Sequence, residues 1–279
     1  MENVIARRVR EATLTKSQQK IAEYIIRHVQ RVGSMTSLDI AGEIGVSDAS
    51  VIRFARAIGY EGFADMKEDI YRVIAESAFG GGTLSDRLRK NTEKYGSGGP
   101  AEFLALMQGN LESVFRNNDP DTFLLAAESL VRAENRYVIG QRGNKGTAAQ
   151  FARLLSFMLP RVYTLLDGEC QQLHSLQDAA DADAAVMFVF SRFYRSDLSY
   201  VGLARSRGVK LTLVTNAAAS PLTPFADYII HINTENMSFF NSTLAAHMAG
   251  EYLLKLIGDR VDYRERIDEI DRLTESERL

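Results

Sequence analysis

A chain of 279 residues with 46% hydrophobic content is long enough to bury a full core, and its length predicts two domains. Because Cys170 is the single cysteine, an intramolecular disulfide and a thiolate metal cluster are both excluded, and we expect neither a metal nor a cofactor. The sequence shows no leading segment like a signal peptide and no apolar run of membrane-spanning length, so we expect a cytoplasmic protein with no membrane partner.

The net charge of −3 hides an uneven distribution along the chain. Residues 1–60 contain nine Lys or Arg and six Asp or Glu, a net charge of +3, so the remaining residues carry −6. A basic end favours an anionic partner such as DNA, because surface cations attract the phosphate backbone. We expect Arg7, Arg8 and Arg10 to be either an arm that contacts phosphates or ordinary solvated cations.

Two predicted helices flank the centre of this basic region, and apolar residues at helical spacing define one face of each. The residues of the first helix are Leu14, Ile21, Tyr24, Ile25 and Val29. Those of the second helix, which follows two glycines, are Phe63, Met66, Ile70 and Val73. We predict a compact domain of four or five helices that ends near Ala78.

Residues 40–54 show the pattern of a helix-turn-helix. Ala41 is small enough to let a second helix cross closely, and Gly45 suits the left-handed conformation that ends a helix. Ser47 is a good N-cap for the second helix. The residues expected to form the small core between the two helices are Ile40, Ile44, Val46, Val51 and Phe54. The alternative is an ordinary helical hairpin.

The start of the second helix would enter the major groove of a double-stranded DNA operator. The residues predicted to contact DNA are Ser47, Asp48, Ala49, Ser50 and Arg53, with Arg56, Lys16 and Lys20 around them. Arg53 is expected either to read a base or to contact a phosphate. Because one helix-turn-helix contacts few base pairs, specific regulation normally uses two half-sites, and so we expect a homodimer or homotetramer.

A change of composition separates this domain from the rest of the chain. Three glycines at 80–82, a polar stretch and a glycine-rich segment at 96–100 are typical of a linker that includes a helical turn or more. We predict a DNA-binding domain at residues 1–78, a linker at 79–100 and a second domain at 101–279. Within the second domain, Asp119 and Pro120 predict the start of a helix that runs to Ala133.

Beyond this helix, short apolar segments alternate with helical patterns. The segments are 137–139, 162–166, 185–190, 211–214 and 228–232, and helical patterns occur at 148–158 and 198–207. Strands that are apolar without alternation belong to a parallel sheet covered on both faces. The predicted fold class is therefore multidomain α and α/β, with an all-α N-terminal domain and a three-layer αβα sandwich that contains about five parallel strands.

Such sheets bind ligands outside the carboxyl ends of their strands, where loops converge. The residues predicted to bind an effector are Gly140, Arg142, Gly143, Asn144 and Lys145 after the first strand, Ser191, Arg192 and Ser196 after the third, Thr215 and Ser220 after the fourth, and Glu235 beyond the fifth. Glycines let backbone amides approach a ligand, and arginines grip a carboxylate or phosphate. The alternatives are a tight structural turn, an oligomer surface and a plain capping loop.

The N-terminal half resembles the helix-turn-helix domain of the RpiR family of bacterial transcriptional regulators. The similarity rests on Leu14-Thr15, Gln18, the 41–54 core, Arg53-Phe54 and Gly59-Tyr60-Glu61-Gly62-Phe63. The C-terminal half is similar to the sugar isomerase (SIS) domain that these regulators carry, through Ser220-Pro221-Leu222 and Ala226-Asp227. The resemblance implies a repressor or activator whose affinity for DNA responds to a phosphorylated sugar or a related metabolite.

Two loops depart from the pattern of the SIS domain. Where its phosphate-binding loop is typically Gly-x-Gly-x-Ser, this chain has Gly140, Arg142, Gly143 and Asn144, and its Ser-x-Ser-Gly loop is replaced by Ser191-Arg192-Phe193-Tyr194. Arginine and lysine supply charge to any anion, a carboxylate included. We therefore predict a transcriptional regulator controlled by an anionic carbohydrate-derived metabolite, for which a sugar phosphate is one possibility.

Two other functions stay open at this point. SIS domains also occur in aldose–ketose isomerases, whose chemistry needs a base and often a histidine, and the candidates are Glu169, Glu235, His174 and His247. An attached DNA-binding half argues against catalysis, and we predict no enzymatic activity. Alternatively, the second domain only oligomerises, and apolar residues at its end form either the subunit interface or the intramolecular core. These residues are Phe239, Phe240, Leu244, Leu253, Leu254 and Ile257.

Overall fold

The computed structural model describes residues 4–79, 83–166, 170–190, 192–217 and 220–275. The chain divides into two compact units. The first comprises Met1–Gly81 with Ala219–Pro224, and the second comprises Gly82–Ala218 with Phe225–Leu279. The glycines of the predicted linker at 80–82 lie outside the described residues, and the predicted domain boundaries stay a prediction.

The described residues of the first unit form six helices: α1 (Val4–Glu11), α2 (Lys16–Arg27), α3 (Val29–Ser34), α4 (Ser37–Ile44), α5 (Asp48–Ala57) and α6 (Phe63–Phe79). The prediction of four or five helices is wrong, because the expected first helix is divided. Leu14 precedes α2, whose start is capped by Thr15 and Gln18, and Val29 follows a break at His28. All these segments pack against one core, so the periodicity located the core but not the breaks.

Helices α4 and α5 form the predicted helix-turn-helix. Gly45 ends α4 at φ 69° and ψ 45°, the left-handed conformation predicted for it. Ala41 is 2% exposed, and its carbonyl accepts hydrogen bonds from the N–H groups of Gly45 and Val46. Val51 and Phe54 of α5 are fully buried. This packing holds the two helices at a fixed angle and leaves the other face of α5 to solvent.

The described residues of the second unit form eight helices and a sheet. The helices are α7 (Leu84–Tyr95), α8 (Pro100–Arg116), α9 (Pro120–Arg132), α10 (Lys145–Met158), α11 (Cys170–Leu173), α12 (Arg195–Ser206), α13 (Leu244–Gly258) and α14 (Arg264–Thr274). The strands are β1 (Arg136–Ile139), β2 (Val162–Leu165), β3 (Ala184–Val189), β4 (Lys210–Thr215) and β5 (Tyr228–His231). Every strand begins and ends within one residue of its predicted bounds. Asp119 caps α9 as predicted.

The strands are parallel and lie in the order β2-β1-β3-β4-β5. The chain moves from β1 to β2 in one direction and from β3 to β4 in the other. Because such crossovers are right-handed, α10 and α12 lie on opposite faces of the sheet. The direction of winding therefore reverses between β1 and β3, and the loops after these two strands open a crevice at the carboxyl edge, where sheets of this kind bind ligands.

Strand β2 differs from the other strands in its exposure. We expected all strands to be covered on both faces, but Tyr163 of β2 is 45% exposed, so this expectation is wrong for β2. The cause is its position at the edge of the sheet, beside β1 alone. By contrast, β1 and β3 are buried along their whole length. We call the place between β1 and β3 where the direction of winding reverses the switch point. The crevice at the switch point therefore lies at the ends of the two fully buried strands.

Candidate functional site

The solvent face of α5 presents the residues predicted to contact DNA. Its exposed side chains are those of Ser47, Ala49, Arg53 and Arg56, and its half-buried ones are those of Asp48 and Ser50. The buried and exposed positions follow the helical period, since α5 packs one face against the core of the first unit. The predicted contacts with DNA stay a prediction.

Three of these side chains hydrogen-bond to one another at the start of α5. The hydroxyls of Ser47 and Ser50 are 2.8 Å apart, and Arg53 Nη2 donates to Ser50 Oγ over 3.0 Å. Ser47 occupies the N-cap position as predicted, but its side chain makes no hydrogen bond to the backbone of the helix. These bonds hold the Arg53 guanidinium beside the first turn of α5, the end predicted to enter the groove.

The other predicted cations also contribute to the fold. Lys20 Nζ donates to the Ile44 carbonyl over 2.7 Å, at the end of α4. Arg56 Nε donates to the Glu61 carbonyl over 3.2 Å, in the turn after α5. Lys16 is exposed at the first position of α2. Lys20 and Arg56 therefore stabilise the ends of α4 and α5, and both side chains remain exposed.

Arg8 has a role that the sequence did not indicate. It lies on α1, where its Nη1 donates to the carbonyls of Ile58 over 3.4 Å and Gly59 over 3.1 Å. Its guanidinium also lies 4.4 Å from the centre of the Tyr60 ring. Arg8 thus joins α1 to the turn after α5, and it is neither a free arm nor a simple solvated cation.

Gly140 is essential to the packing of the loop after β1. A β-carbon at this position would lie 2.4 Å from the β-carbon of Ala148 and 3.0 Å from the carbonyl oxygen of Asn144. The N–H of Gly140 donates to the Leu165 carbonyl over 3.1 Å. We predicted that this glycine helps a ligand to approach backbone amides, but its own amide is bonded within the sheet. Gly140 instead lets α10 start close against β1.

Arg142 connects the loops that follow β1 and β3. Its guanidinium stacks 3.5 Å from the centre of the Tyr194 ring, and its Nη2 donates to Ser196 Oγ over 3.3 Å. Its Nη1 lies 3.9 Å from the buried carboxylate of Asp197. The structure thus brings the predicted residues Arg142 and Ser196 together. Asp197, which we did not predict, balances part of the charge of Arg142.

Burial raises the pKa of Asp197 to about 6, although the N–H of Tyr194 and the charge of Arg142 both act to lower it. The Tyr194 N–H donates to Asp197 Oδ2 over 2.8 Å at the start of α12. Asp197 therefore gains or loses its negative charge near pH 6, and the net charge of this loop pair changes with it.

We expect Asp197→Asn to gain stability relative to the wild type as pH rises. An aspartate whose pKa is raised by folding binds its proton more tightly in the native than in the unfolded chain, so it lowers the free energy of unfolding as pH rises from 3.8 to about 6. Asparagine cannot titrate, and the difference between variant and wild type should move by about 1 kcal/mol in favour of the variant between about pH 5 and about pH 7.5.

Urea denaturation followed by circular dichroism at both pH values measures this difference. Asp178→Asn is the control, because Asp178 is an exposed aspartate of the same unit. A stability difference for Asp197→Asn that is the same at both pH values would contradict the expectation.

Two polar side chains at the switch point have buried atoms without a hydrogen bond to any described residue. Gln141 is 3% exposed, and neither Oε1 nor Nε2 has a partner. Arg192 has a buried Nη2 without an acceptor, and its backbone lies at φ 87°. Gln141 follows β1 and Arg192 follows β3, which are adjacent strands. Buried polar atoms are nearly always hydrogen-bonded, so both groups suit contact with a ligand.

Gln141, like Asp197, is a residue at this edge that we did not predict from the sequence. Glutamine is usually a surface residue, and nothing in its immediate neighbourhood distinguishes it. The available signal was its place directly after Gly140, at the point where a buried strand ends.

Thr215 and Ser220 act as capping residues within their own loop. Thr215 Oγ1 accepts from the Ala217 N–H over 3.4 Å, and Ser220 Oγ accepts from the Leu222 N–H over 3.1 Å. This is the alternative that we gave for the loop. The predicted effector residue Ser191 lies outside the described residues.

The other predicted effector residues are placed differently from one another. Glu235 accepts a hydrogen bond from Tyr95 over 3.0 Å and lies 3.5 Å from Lys94 Nζ, both on α7. Gly143 and Lys145 are exposed, and Asn144 occupies the N-cap position of α10. Glu235 is thus bound by α7, whereas Gly143 after β1 and Lys145 at the start of α10 are exposed.

The candidates for isomerase chemistry are not brought together among the described residues. His247 lies in a cleft between α10 and α13, with Nε2 3.3 Å from Thr147 Oγ1. The lining of this cleft includes neither Glu235 nor His174, and Glu169 lies outside the described residues. Among the described candidates, Glu235 is therefore not paired with His247 or His174.

Both units match known protein families. A family described as the helix-turn-helix domain of the rpiR family matches residues 3–77, and the SIS domain family matches residues 129–256. An uncharacterized HTH-type transcriptional regulator in the aarA 3′ region of Providencia stuartii is 26% identical over 219 residues, which cover 77% of this chain and 74% of that protein.

Two solved structures share the fold. The sugar isomerase domain of an RpiR transcription factor from Sphaerobacter thermophilus has a TM-score of 0.58 and 22% identity, covering 64% of this chain and 98% of that chain. The NanR protein of Vibrio vulnificus, complexed with ManNAc-6P, has a TM-score of 0.54 and 18% identity, covering 99% and 100%.

None of the described helices combines the length and apolar character needed to cross a membrane. The helix-turn-helix with its exposed α5, the parallel sheet with its switch point and the two family matches agree with one another. The chain therefore combines an N-terminal helix-turn-helix domain of the rpiR family with a C-terminal SIS domain, which is the domain organisation of a transcriptional regulator.

Proposed function

We propose that an anionic carbohydrate-derived metabolite, bound at the carboxyl edge of the sheet, changes the affinity of this cytoplasmic regulator for its DNA operator. The observation that carries the proposal is the pair of loops at the switch point, in which Arg142 and Arg192 both adopt left-handed backbone conformations. Such backbone strain costs free energy and persists only where the surrounding structure enforces it, and strained residues are concentrated at ligand sites. The buried amide of Gln141 supports a ligand that also offers hydrogen-bonding oxygens. The shared fold of NanR, whose structure contains ManNAc-6P, supports the sugar-phosphate class.

The proposed DNA contacts come from the solvent face of α5. Ser50 and Arg53 lie at its first turns, linked by a hydrogen bond, where an entering helix meets base edges. Lys16, Lys20 and Arg56 add charge for the phosphates on either side. The exposed position of each of these cations supports this assignment.

A fluorescence anisotropy experiment tests the proposal directly. An operator is first selected from random duplexes by repeated binding to the full chain, and its dissociation constant is then measured with phosphorylated sugars and sugar acids. We expect one of these anions to change the dissociation constant by about 5-fold to 150-fold, the usual range of allosteric coupling. The uncharged parent sugars are the control. An operator affinity that responds only to uncharged sugars, or to no compound, would contradict the proposal.

We propose that the regulator is a homodimer or homotetramer, since two helix-turn-helix units must reach half-sites about 34 Å apart. Of the apolar residues considered for the interface, Leu253, Leu254 and Ile257 lie in the core of the second unit, which is the alternative expected for them. Its exposed members are Phe239, Phe240 and Leu244. Analytical ultracentrifugation at micromolar concentration is expected to show a dimer or larger species, and a monomer with and without operator would contradict this.

We propose that the chain is not an isomerase. The separation of His247 from Glu235, and the occupation of Glu235 by Tyr95 and Lys94, support this conclusion. Incubation with aldose phosphates, followed by NMR, is expected to show no ketose product. Product formation that disappears in Glu235→Gln would contradict the proposal.

The melting temperature separates an effector-binding SIS domain from one that only oligomerises. A SIS domain that serves only for oligomerisation would show no change in melting temperature with any metabolite.

A further inference from the structure

Helix α7, which we predicted to be part of a linker, is held against the segment after β5. Arg87 Nη1 donates to Asn241 Oδ1 over 2.9 Å and to the Phe239 carbonyl over 3.4 Å. One turn later, Asn91 Nδ2 donates to the Ser238 carbonyl over 2.5 Å. At the carboxyl end of α7, Tyr95 and Lys94 contact Glu235. These contacts hold α7 against the 235–241 segment from its first turn to its last.

The Asn241 side chain extends this contact to the carboxyl edge of the sheet. Thr234 Oγ1 donates to Asn241 Oδ1 over 3.4 Å, and Asn216 Nδ2 donates to Thr234 Oγ1 over 2.6 Å. Asn216 directly follows β4, and Thr234 lies three residues beyond β5. The Arg87 guanidinium is therefore part of a polar network that begins at the ends of β4 and β5.

Arg87 also lies within electrostatic range of Arg192. Burial lowers the pKa of Arg87, and the charge of Arg192 lowers it further. Arg192 follows β3, the neighbour of β4, and its buried Nη2 has no hydrogen-bond partner among the described residues. Two partly buried guanidinium groups that repel each other, with an unoccupied donor on one of them, supply the positive charge and the hydrogen-bond donor that an oxyanion requires.

Arg142 is less available for the same role. Its guanidinium already contacts the Tyr194 ring, Ser196 Oγ and the Asp197 carboxylate. An anion at Arg142 would have to compete with Asp197 at neutral pH, whereas an anion at Arg192 would fill a vacant hydrogen bond and reduce a repulsion. The two arginines of the switch point thus differ in their capacity to bind a ligand.

We infer that Arg192 and Arg87 together bind the phosphate or carboxylate group of the effector. The inference rests on the proposed function and adds to it a residue, Arg87, that lies outside the region matched by the SIS family. Because Arg87 belongs to the first helix after residues 80–82, a bound anion joins the sheet to the helix nearest in sequence to the DNA-binding unit.

The test uses inorganic phosphate as the probe and the melting temperature of the full chain as the readout, at constant ionic strength maintained with chloride. Phosphate is expected to raise the melting temperature of the wild type by roughly 2–4 °C and to leave Arg87→Gln and Arg192→Gln unchanged. Arg89→Gln is the matched control, because Arg89 lies on the same helix, is 71% exposed and pairs with Asp86. It should respond like the wild type.

The sign of the effect without phosphate separates a binding role from a structural one. Arg192→Gln removes a repulsion and a buried donor without a partner, so we expect it to melt at a higher temperature than the wild type in chloride alone. If Arg192 only stabilised the fold, the variant would melt at a lower temperature, and the inference would be overturned. Arg87→Lys, which keeps the charge, should retain part of the phosphate response even if Arg87→Gln loosens α7.

Failure of the inference about the arginine pair can be distinguished from failure of the proposed function. A wild type that does not respond to phosphate, or an Arg87→Gln variant that responds fully, overturns the inference about this arginine pair. Regulation of operator affinity by a metabolite can still be present in either case, and the anisotropy experiment detects it independently. Loss of the phosphate response in both variants, with the response of Arg89→Gln intact, supports the arginine pair.

Discussion

Replacing Gly140 with alanine is expected to destabilise the second unit by about 3 kcal/mol and to abolish the response to the effector. The added β-carbon would lie 2.4 Å from the β-carbon of Ala148, a distance that real β-carbons do not adopt. Ala148 belongs to α10, so the strain can only be relieved by moving the helix or the loop away from β1. That movement would displace Gln141 and Arg142, which leave β1 through the same loop.

Gly143→Ala is the matched control for Gly140→Ala. Gly143 lies in the same loop, has no positive φ and would place a β-carbon in open space. We expect it to change the free energy of unfolding by less than about 0.5 kcal/mol and, because alanine keeps the backbone amide through which Gly143 would bind, to retain the effector response wherever no ligand atom occupies the space of the added β-carbon. Thermal denaturation followed by circular dichroism, together with operator anisotropy, compares the two variants. Equal behaviour of both would show that close packing of this loop does not matter.

Replacing Arg53 with alanine is expected to weaken operator binding by about 100-fold or more. A bidentate contact between arginine and a guanine contributes about 1–3 kcal/mol of discrimination, and a dimer loses this contact at both half-sites. Arg53 is exposed near the start of α5 and is oriented by Ser50, so it is well placed for such a contact. Binding to unrelated duplex DNA should weaken much less.

Anisotropy with operator and with random duplex DNA distinguishes the possible roles of Arg53. Arg27→Ala provides the control, since Arg27 is an exposed arginine of the same unit at the end of α2 and is not among the predicted DNA contacts. An equal loss of affinity for both DNAs in Arg53→Ala would make this residue a phosphate contact and overturn the assignment to base recognition.

Much of the fold followed from local features of the sequence. The apolar segments predicted every strand to within one residue, and Asp119 and Gly45 were correctly assigned to the ends of helices. Burial on both faces and the steric needs of a left-handed turn depend mainly on the residue itself, so short windows of sequence are enough to detect them. By the same logic, the Ala41–Phe54 pattern predicted the helix-turn-helix that the structure shows.

The partners of charged residues could not be predicted in this way. Arg8 bonds to carbonyls about 50 positions away, and Arg142 pairs with Asp197 across two strands. Each of these pairs forms only because the topology brings distant segments together. The glycines of the loop after β1 predicted where a ligand could approach. They did not predict that the charge of Arg142 would be balanced by Asp197.

The sequence by itself determined two domains, their classes and the helix-turn-helix formed by α4 and α5, because periodicity, capping residues and small residues act over a few neighbouring positions. Only the tertiary structure decided that Gly140 is required by the close packing of α10 against β1, and that Asp197 forms an ion pair with Arg142. It also decided that α7 lies along residues 235–241, with Arg87 near Arg192. Those facts depend on strand order and on contacts between residues far apart in the chain, which local sequence patterns do not encode.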